Sequence, residues 1–115
     1  MAIKRIRPGP RMSPGVVYGT TVYVAGQTAE DGNADVAGQT ASILKKIDGI
    51  LAEAGTDKSK LLSANIWLSD ISTFNEMNKV WDAWVSPGNT PARATVEAKL
   101  ARADLKVEIM VVAAV

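Results

Sequence analysis

The C-terminal stretch Lys106-Val107-Glu108-Ile109-Met110-Val111-Val112-Ala113-Ala114-Val115 sets the tightest limit on what this chain can fold into. Apart from Lys106 and Glu108 every residue is apolar, and five of the ten are β-branched. Such a run reads as a long strand, and apolar residues at successive positions imply burial on both of its faces. Something must therefore cover each side of the sheet it joins.

Two helices can cover one side. Asp35 is a suitable N-cap for a helix that runs to Ala54 and stops at Gly55. Val36, Ile43, Leu44, Ile47, Ile50, Leu51 and Ala54 form one apolar stripe, while Lys45, Lys46, Asp48 and Glu53 occupy the opposite, solvated face. A second helix runs to Trp84, and Thr73 with Glu76 has capping-box spacing. Phe74, Met77, Trp81 and Trp84 share one face of it, a stripe that reads as core and not as a cofactor box. Asn78 falls beside the stripe. A mid-helix asparagine has mediocre propensity, so it is either a tolerated edge residue or is there to hydrogen-bond something.

The remaining segments read as strands. Ile3 to Arg7 alternates apolar and basic residues and is stopped by Pro8-Gly9-Pro10. Val16 to Tyr18 and Thr21 to Ala25 form a hairpin around Gly19-Thr20. At its end Gly26 admits two readings, a close backbone approach to a ligand or a bulge. Leu61 to Leu68 and Ala94 to Ala98 complete the set. The order is α+β: a mixed six-stranded sheet with two helices on one face, in a single domain spanning residues 1–115. The sheet's other face is expected to be buried by copies of the same chain in a closed symmetric oligomer.

Composition removes several chemistries. The chain has 13 basic and 12 acidic residues, so its charge gives no case for a nucleic-acid or membrane-surface partner. It has no cysteine and no histidine. A Ser-His-Asp triad and a zinc site built on His or Cys are excluded, and no metal is expected. No apolar run is long enough for a membrane-spanning helix. The basic start, Met1 to Arg7, leads into Pro8-Gly9-Pro10 and not into an apolar signal core, so a cytoplasmic protein is expected.

One cation stands out. Arg93 follows Pro91 at the mouth of the strand in Asn89-Thr90-Pro91-Ala92-Arg93-Ala94-Thr95-Val96-Glu97-Ala98. Its planar fork of donors matches a carboxylate. Arginines near strand ends also make ordinary surface pairs, and this pattern by itself does not separate the two roles. Strand alternation puts Arg93, Thr95 and Glu97 on one face.

Val24-Ala25-Gly26-Gln27, Asn78, Thr90-Pro91-Ala92-Arg93-Ala94-Thr95-Val96-Glu97 and Lys106-Val107-Glu108-Ile109 together resemble the Rid family, also called YjgF/YER057c/UK114. The resemblance covers nearly the whole chain. Trp81-Asp82-Ala83-Trp84-Val85 and the C-terminal ending look closest to its small bacterial YoaB-like branch. It implies a chorismate-mutase-like fold and a homotrimer with clefts between subunits. It also implies hydrolysis of reactive 2-imino and enamino acids of the 2-aminoacrylate type to 2-keto acids and ammonia, with no cofactor.

Carried over by resemblance, Arg93 would clamp the substrate carboxylate and Gly26 would line the same pocket with its backbone. Thr95, where the deaminase branch usually has a cysteine, would contribute a backbone N–H, and Asn78 would lie nearby. The resemblance also marks departures. Met110 stands where a second glutamate of the deaminase branch is expected to position the water. Ala25 replaces a serine, and Met12 or Ser13 falls where a tyrosine borders the cleft. These losses support an alternative, a non-catalytic trimeric binder of small carboxylates or keto acids.

Overall fold

The computed structural model describes residues 1–115. Strands β1 (Ile3–Ile6), β2 (Gly15–Tyr18) and β3 (Thr21–Gln27) lead into helix α1 (Val36–Glu53). Strand β4 (Leu61–Leu68), helix α2 (Phe74–Trp84) and strands β5 (Ala92–Glu97) and β6 (Val107–Ala114) follow. The six strands form one sheet in the order β1-β2-β3-β6-β4-β5. Only β4 and β5 run parallel, joined through α2. The mixed sheet with two helices is the expected architecture.

Local chemistry accounts for the boundaries. The hairpin between β2 and β3 turns at Gly19, whose φ of 63° lies in the left-handed region a tight two-residue turn needs. Asp35 caps α1 by accepting a hydrogen bond from the Gly38 N–H at 2.8 Å. Gly55, at φ 82°, lets the chain leave the helix. The entry to α2 differs from expectation: Thr73 makes no side-chain cap bond. A 3-10 turn over Ile71–Thr73 comes first, and Asp70 caps that turn by accepting from the Ser72 N–H. Thr73 consequently lacks extended N-cap geometry, and its hydroxyl donates to the Asp70 carbonyl at 2.7 Å.

The core lies between the helices and one sheet face. Ile43, Leu44, Ile47, Ile50 and Leu51 of α1 and Met77 of α2 meet Val22, Val24, Ile66, Leu68, Ile109 and Val111, all essentially without solvent contact. Each such side chain contributes roughly 1.5–3 kcal/mol on burial. Gln39 is buried among them. Its Nε2 donates to the Asp104 carbonyl at 3.0 Å and its Oε1 accepts from the Lys106 N–H at 2.9 Å, fastening the β5–β6 connection to α1.

The last strand alternates between its two faces within one chain. β6 sits inside the sheet between β3 and β4 but is not doubly buried within one chain. Val107, Ile109, Val111 and Ala113 are buried, whereas Glu108, Met110, Val112 and Ala114 are half-buried. The helices cover one face only. On the other, Tyr23 is 54% and Val96 49% exposed, and Tyr18 and Ile3 are similarly open.

Candidate functional site

β5 is an edge strand, and its register decides where Arg93 points. Arg93 lies opposite Ala64 and Thr95 opposite Ile66, two residues of β4 buried toward the helices. Side chains directly opposite share a sheet face. Arg93 and Thr95 therefore project toward the helix layer, while Ala92, Ala94 and Val96 look out from the open face.

α2 supplies the wall above them. Phe74, Asn78 and Trp81 are spaced by four and three residues, so they share one helix face. The Arg93 guanidinium carbon stands 5.3 Å from the Trp81 ring centroid and 5.8 Å from that of Phe74, both within cation–π range. Trp81 is 5% exposed and Phe74 38%. The expected four-residue core stripe therefore divides. Met77 and Trp81 enter the core, Phe74 borders the arginine, and Trp84 turns to α1, where its indole N–H donates to Asp48 at 3.1 Å.

Arg93 has no carboxylate within ion-pair distance; the three ion pairs of the chain lie elsewhere. Burial lowers the proton affinity of its guanidinium, and the charge of nearby Asp82 acts in the opposite sense. Two further polar atoms on these same faces are buried without a hydrogen-bond partner, the side-chain oxygen of Asn78 and the hydroxyl of Thr95. Unpaired buried polar atoms are costly and rare in folded proteins. An unpaired cation with two unpaired polar oxygens on the adjoining helix and strand faces is the pattern a ligand would complete. Glu97 is otherwise engaged: its carboxylate accepts from the Ile71 N–H at 3.1 Å and so fixes the turn before α2.

Gly26 lies elsewhere. It is on β3, separated from β5 by β6 and β4, which is about 14 Å at normal strand spacing. What it meets there is Glu108. A Cβ built on Gly26 would overlap the Glu108 carboxylate oxygen, with the carboxylate carbon at 3.1 Å and Cγ at 3.3 Å. Glycine is present because a carboxylate fills the space. Glu108 belongs to the half-buried side of β6, on the open sheet face, and forms no ion pair within the chain. Within one chain, then, Arg93, Asn78 and Thr95 cluster, while Gly26 joins Glu108 and Met110 on the other side of the sheet.

Reasoning from sequence missed Phe74 and Trp81 as neighbours of Arg93, although their spacing around Asn78 was readable. It also missed Glu108 as the partner of Gly26. Strand alternation puts Glu108 and Met110 on one face, but the register shift between Val24 and Gln27 means that alternation along β3 alone does not say which of them Gly26 meets.

The fold is that of a small α+β protein, with an arginine that has no ion-pair partner set between its edge strand and second helix. The family described as Endoribonuclease L-PSP matches residues 2–115. The RutC family protein YoaB of Escherichia coli (strain K12) is 45% identical over 115 residues, covering all of both chains. The structure of NMB1025 from Neisseria meningitidis, a member of the YjgF protein family, superposes with a TM-score of 0.96 at 46% identity over 99% of this chain and 95% of that one. Rv2704 from Mycobacterium tuberculosis, of the YjgF/YER057c/UK114 family, does so with a TM-score of 0.90 at 28% identity over 99% and 100%. The chain belongs to this YjgF/YER057c/UK114 family. No helix is long and apolar enough to cross a membrane.

Proposed function

We propose that the protein is a cytoplasmic enamine/imine deaminase. It would hydrolyse 2-imino acids of the 2-iminopropanoate type to 2-keto acids and ammonia, in clefts between the subunits of a homotrimer. The observation that carries this reading is the unpaired Arg93 beside the unpartnered Asn78 and Thr95 oxygens. Arg93 holds the substrate carboxylate through in-plane N–H donors. The Asn78 oxygen accepts from the imine N–H.

The second half of the site is Gly26 with Glu108. These residues stand too far from Arg93 to reach the same small molecule within one chain. A cleft that contains both halves is built from two copies, brought together on the exposed apolar sheet face around Tyr23 and Val96. Glu108 orients a water and takes one of its protons as the oxygen bonds to the imine carbon. The imine nitrogen takes a proton from solvent as the oxygen adds, giving a carbinolamine. Its C–N bond then breaks as Glu108 passes its proton to the departing nitrogen and the hydroxyl returns a proton to solvent to leave the carbonyl. Pyruvate and ammonia are the products of 2-iminopropanoate, and the equation balances without an oxidant or reductant. Imine hydrolysis is intrinsically easy, so positioning supplies most of the acceleration.

The rival reading, a non-catalytic carboxylate binder, drew its main support from Met110. Glu108 against Gly26 gives the cleft a carboxylate without any need for one at position 110, and this favours hydrolysis. RNA cleavage, which the family description names, finds little support in a chain with no histidine and a net charge of +1.

The test is hydrolysis of 2-iminopropanoate by the pure protein against Arg93→Ala and Glu108→Gln. Activity lost in both variants supports the reading. A wild-type rate no higher than that of Arg93→Ala, with 2-ketobutyrate still bound by the wild type, overturns it in favour of the binder.

A further inference from the structure

Arg93 is held in an unusual way for an anion-binding arginine. No carboxylate neutralises it, and no side-chain or backbone acceptor fixes its fork. A flexible arginine with no fixed partner would give up considerable rotamer freedom on binding a ligand. Two rings of α2, those of Trp81 and Phe74, face it with centroids at 5.3 Å and 5.8 Å.

Those rings are themselves supported. Trp81 packs against Trp84 with centroids 5.3 Å apart and planes tilted by 52°. Trp84 is bound through its indole N–H to both oxygens of Asp48 on α1. The Lys58 ammonium lies 5.2 Å above the Trp84 ring. A continuous chain of contacts therefore runs from α1 through Asp48, Trp84 and Trp81 to Arg93.

We propose that Trp81 and Phe74 are positioning residues, an aromatic clamp that orients the Arg93 guanidinium for its ligand in place of a carboxylate partner. The inference rests on the reading of Arg93 as the carboxylate hook. The physical advantage is specific. An acidic partner would occupy the in-plane N–H donors and cancel the charge. A ring attracts the cation through its quadrupole and engages the guanidinium without using a single donor. The fork and its full charge stay available to a carboxylate, and the side chain is pre-ordered. Phe74 closes the solvent side of the clamp and Trp81 the core side.

The experiment uses 2-ketobutyrate as the probe and the full-length protein. Calorimetric titration compares wild type, Arg93→Ala, Phe74→Leu, Trp81→Leu and Trp81→Phe. Phe74 is partly exposed, so its replacement leaves the fold intact even if Trp81→Leu does not fold. Binding is expected to weaken by roughly 2–5-fold in Phe74→Leu and up to about 30-fold in Trp81→Leu, with substantial recovery in Trp81→Phe. A second readout is independent of ligand. The Arg93 Nε–Hε resonance should be shifted upfield by ring current in the free protein, and the shift should shrink in Phe74→Leu and survive in Trp81→Phe. Wild-type affinity and a wild-type resonance position in Phe74→Leu, with binding lost in Arg93→Ala, overturn the clamp while sparing the hook. Unchanged binding in Arg93→Ala overturns the hook and the clamp with it.

Discussion

Replacing Gly26 by alanine should separate stability from activity in this protein. The new Cβ would overlap the outer end of the Glu108 side chain, whose carboxylate carbon and Cγ lie 3.1 Å and 3.3 Å from it. The terminal carboxylate must withdraw by roughly 1 Å or more, and a displacement of that size costs up to about 100-fold when the group positions a reacting atom. The fold has little to lose. The displaced atoms are the end of a flexible side chain, Gly26 is not among the positive-φ glycines, and Gly→Ala gains about 0.4–1 kcal/mol from the unfolded chain. Net stability should change by no more than about 1 kcal/mol, a Tm shift within roughly 6 °C. The assay is 2-iminopropanoate hydrolysis beside a thermal melt, with Glu108→Gln as the reference for a lost carboxylate. A wild-type rate in Gly26→Ala would refute the argument that Glu108 acts from this spot. A collapse of the melt would refute the argument that the clash relaxes locally.

Arg93→Ala should abolish 2-ketobutyrate binding in calorimetry and lower stability in a urea titration by only about 1 kcal/mol, because no ion pair within the chain depends on it and only its contacts with the Phe74 and Trp81 rings are lost. Gln39→Ala strands the Asp104 carbonyl and the Lys106 N–H and should lower stability by about 2–3 kcal/mol, read as a shifted urea midpoint at constant m-value. Ile109→Ala, at the fully buried centre of the sheet, should cost about 3 kcal/mol or more in the same titration. The acid limb of stability has a definite sign. The Asp70 carboxyl is held below its ordinary value of 3.8 by the Ser72 hydroxyl and backbone N–H, and that of Asp104 by its hydrogen bond from Arg102. Both contributions are present above pH 3.8 and lost as pH falls through the lowered values, so Asp104→Asn should flatten the decline in urea midpoint below that point.

Much of the fold was legible because local chemistry and tertiary demand agree. The α1 stripe, its Asp35 cap, the Gly19 turn and the alternation along β5 each follow from a few neighbouring residues. The entry to α2 was not legible. Thr73 and Glu76 have the spacing of a capping box, but Asp70 offers the chain a competing cap three residues earlier and wins. The candidate site was half legible. Arg93 and Thr95 share a face by strand periodicity alone, yet nothing in the order of residues says which elements face them.

The sequence by itself determined the elements, their amphipathic faces and a family-wide resemblance, because periodicity and capping are properties of residues close in the chain. Only the tertiary structure decided that Phe74 and Trp81 lie beside Arg93, that Gly26 yields its space to Glu108, and that these two groups lie apart within one chain. The reason is that contacts between distant segments depend on sheet order, register and a single bulge. A shift of one residue in register would have turned Val107 or Ile109, and not Glu108, toward Gly26.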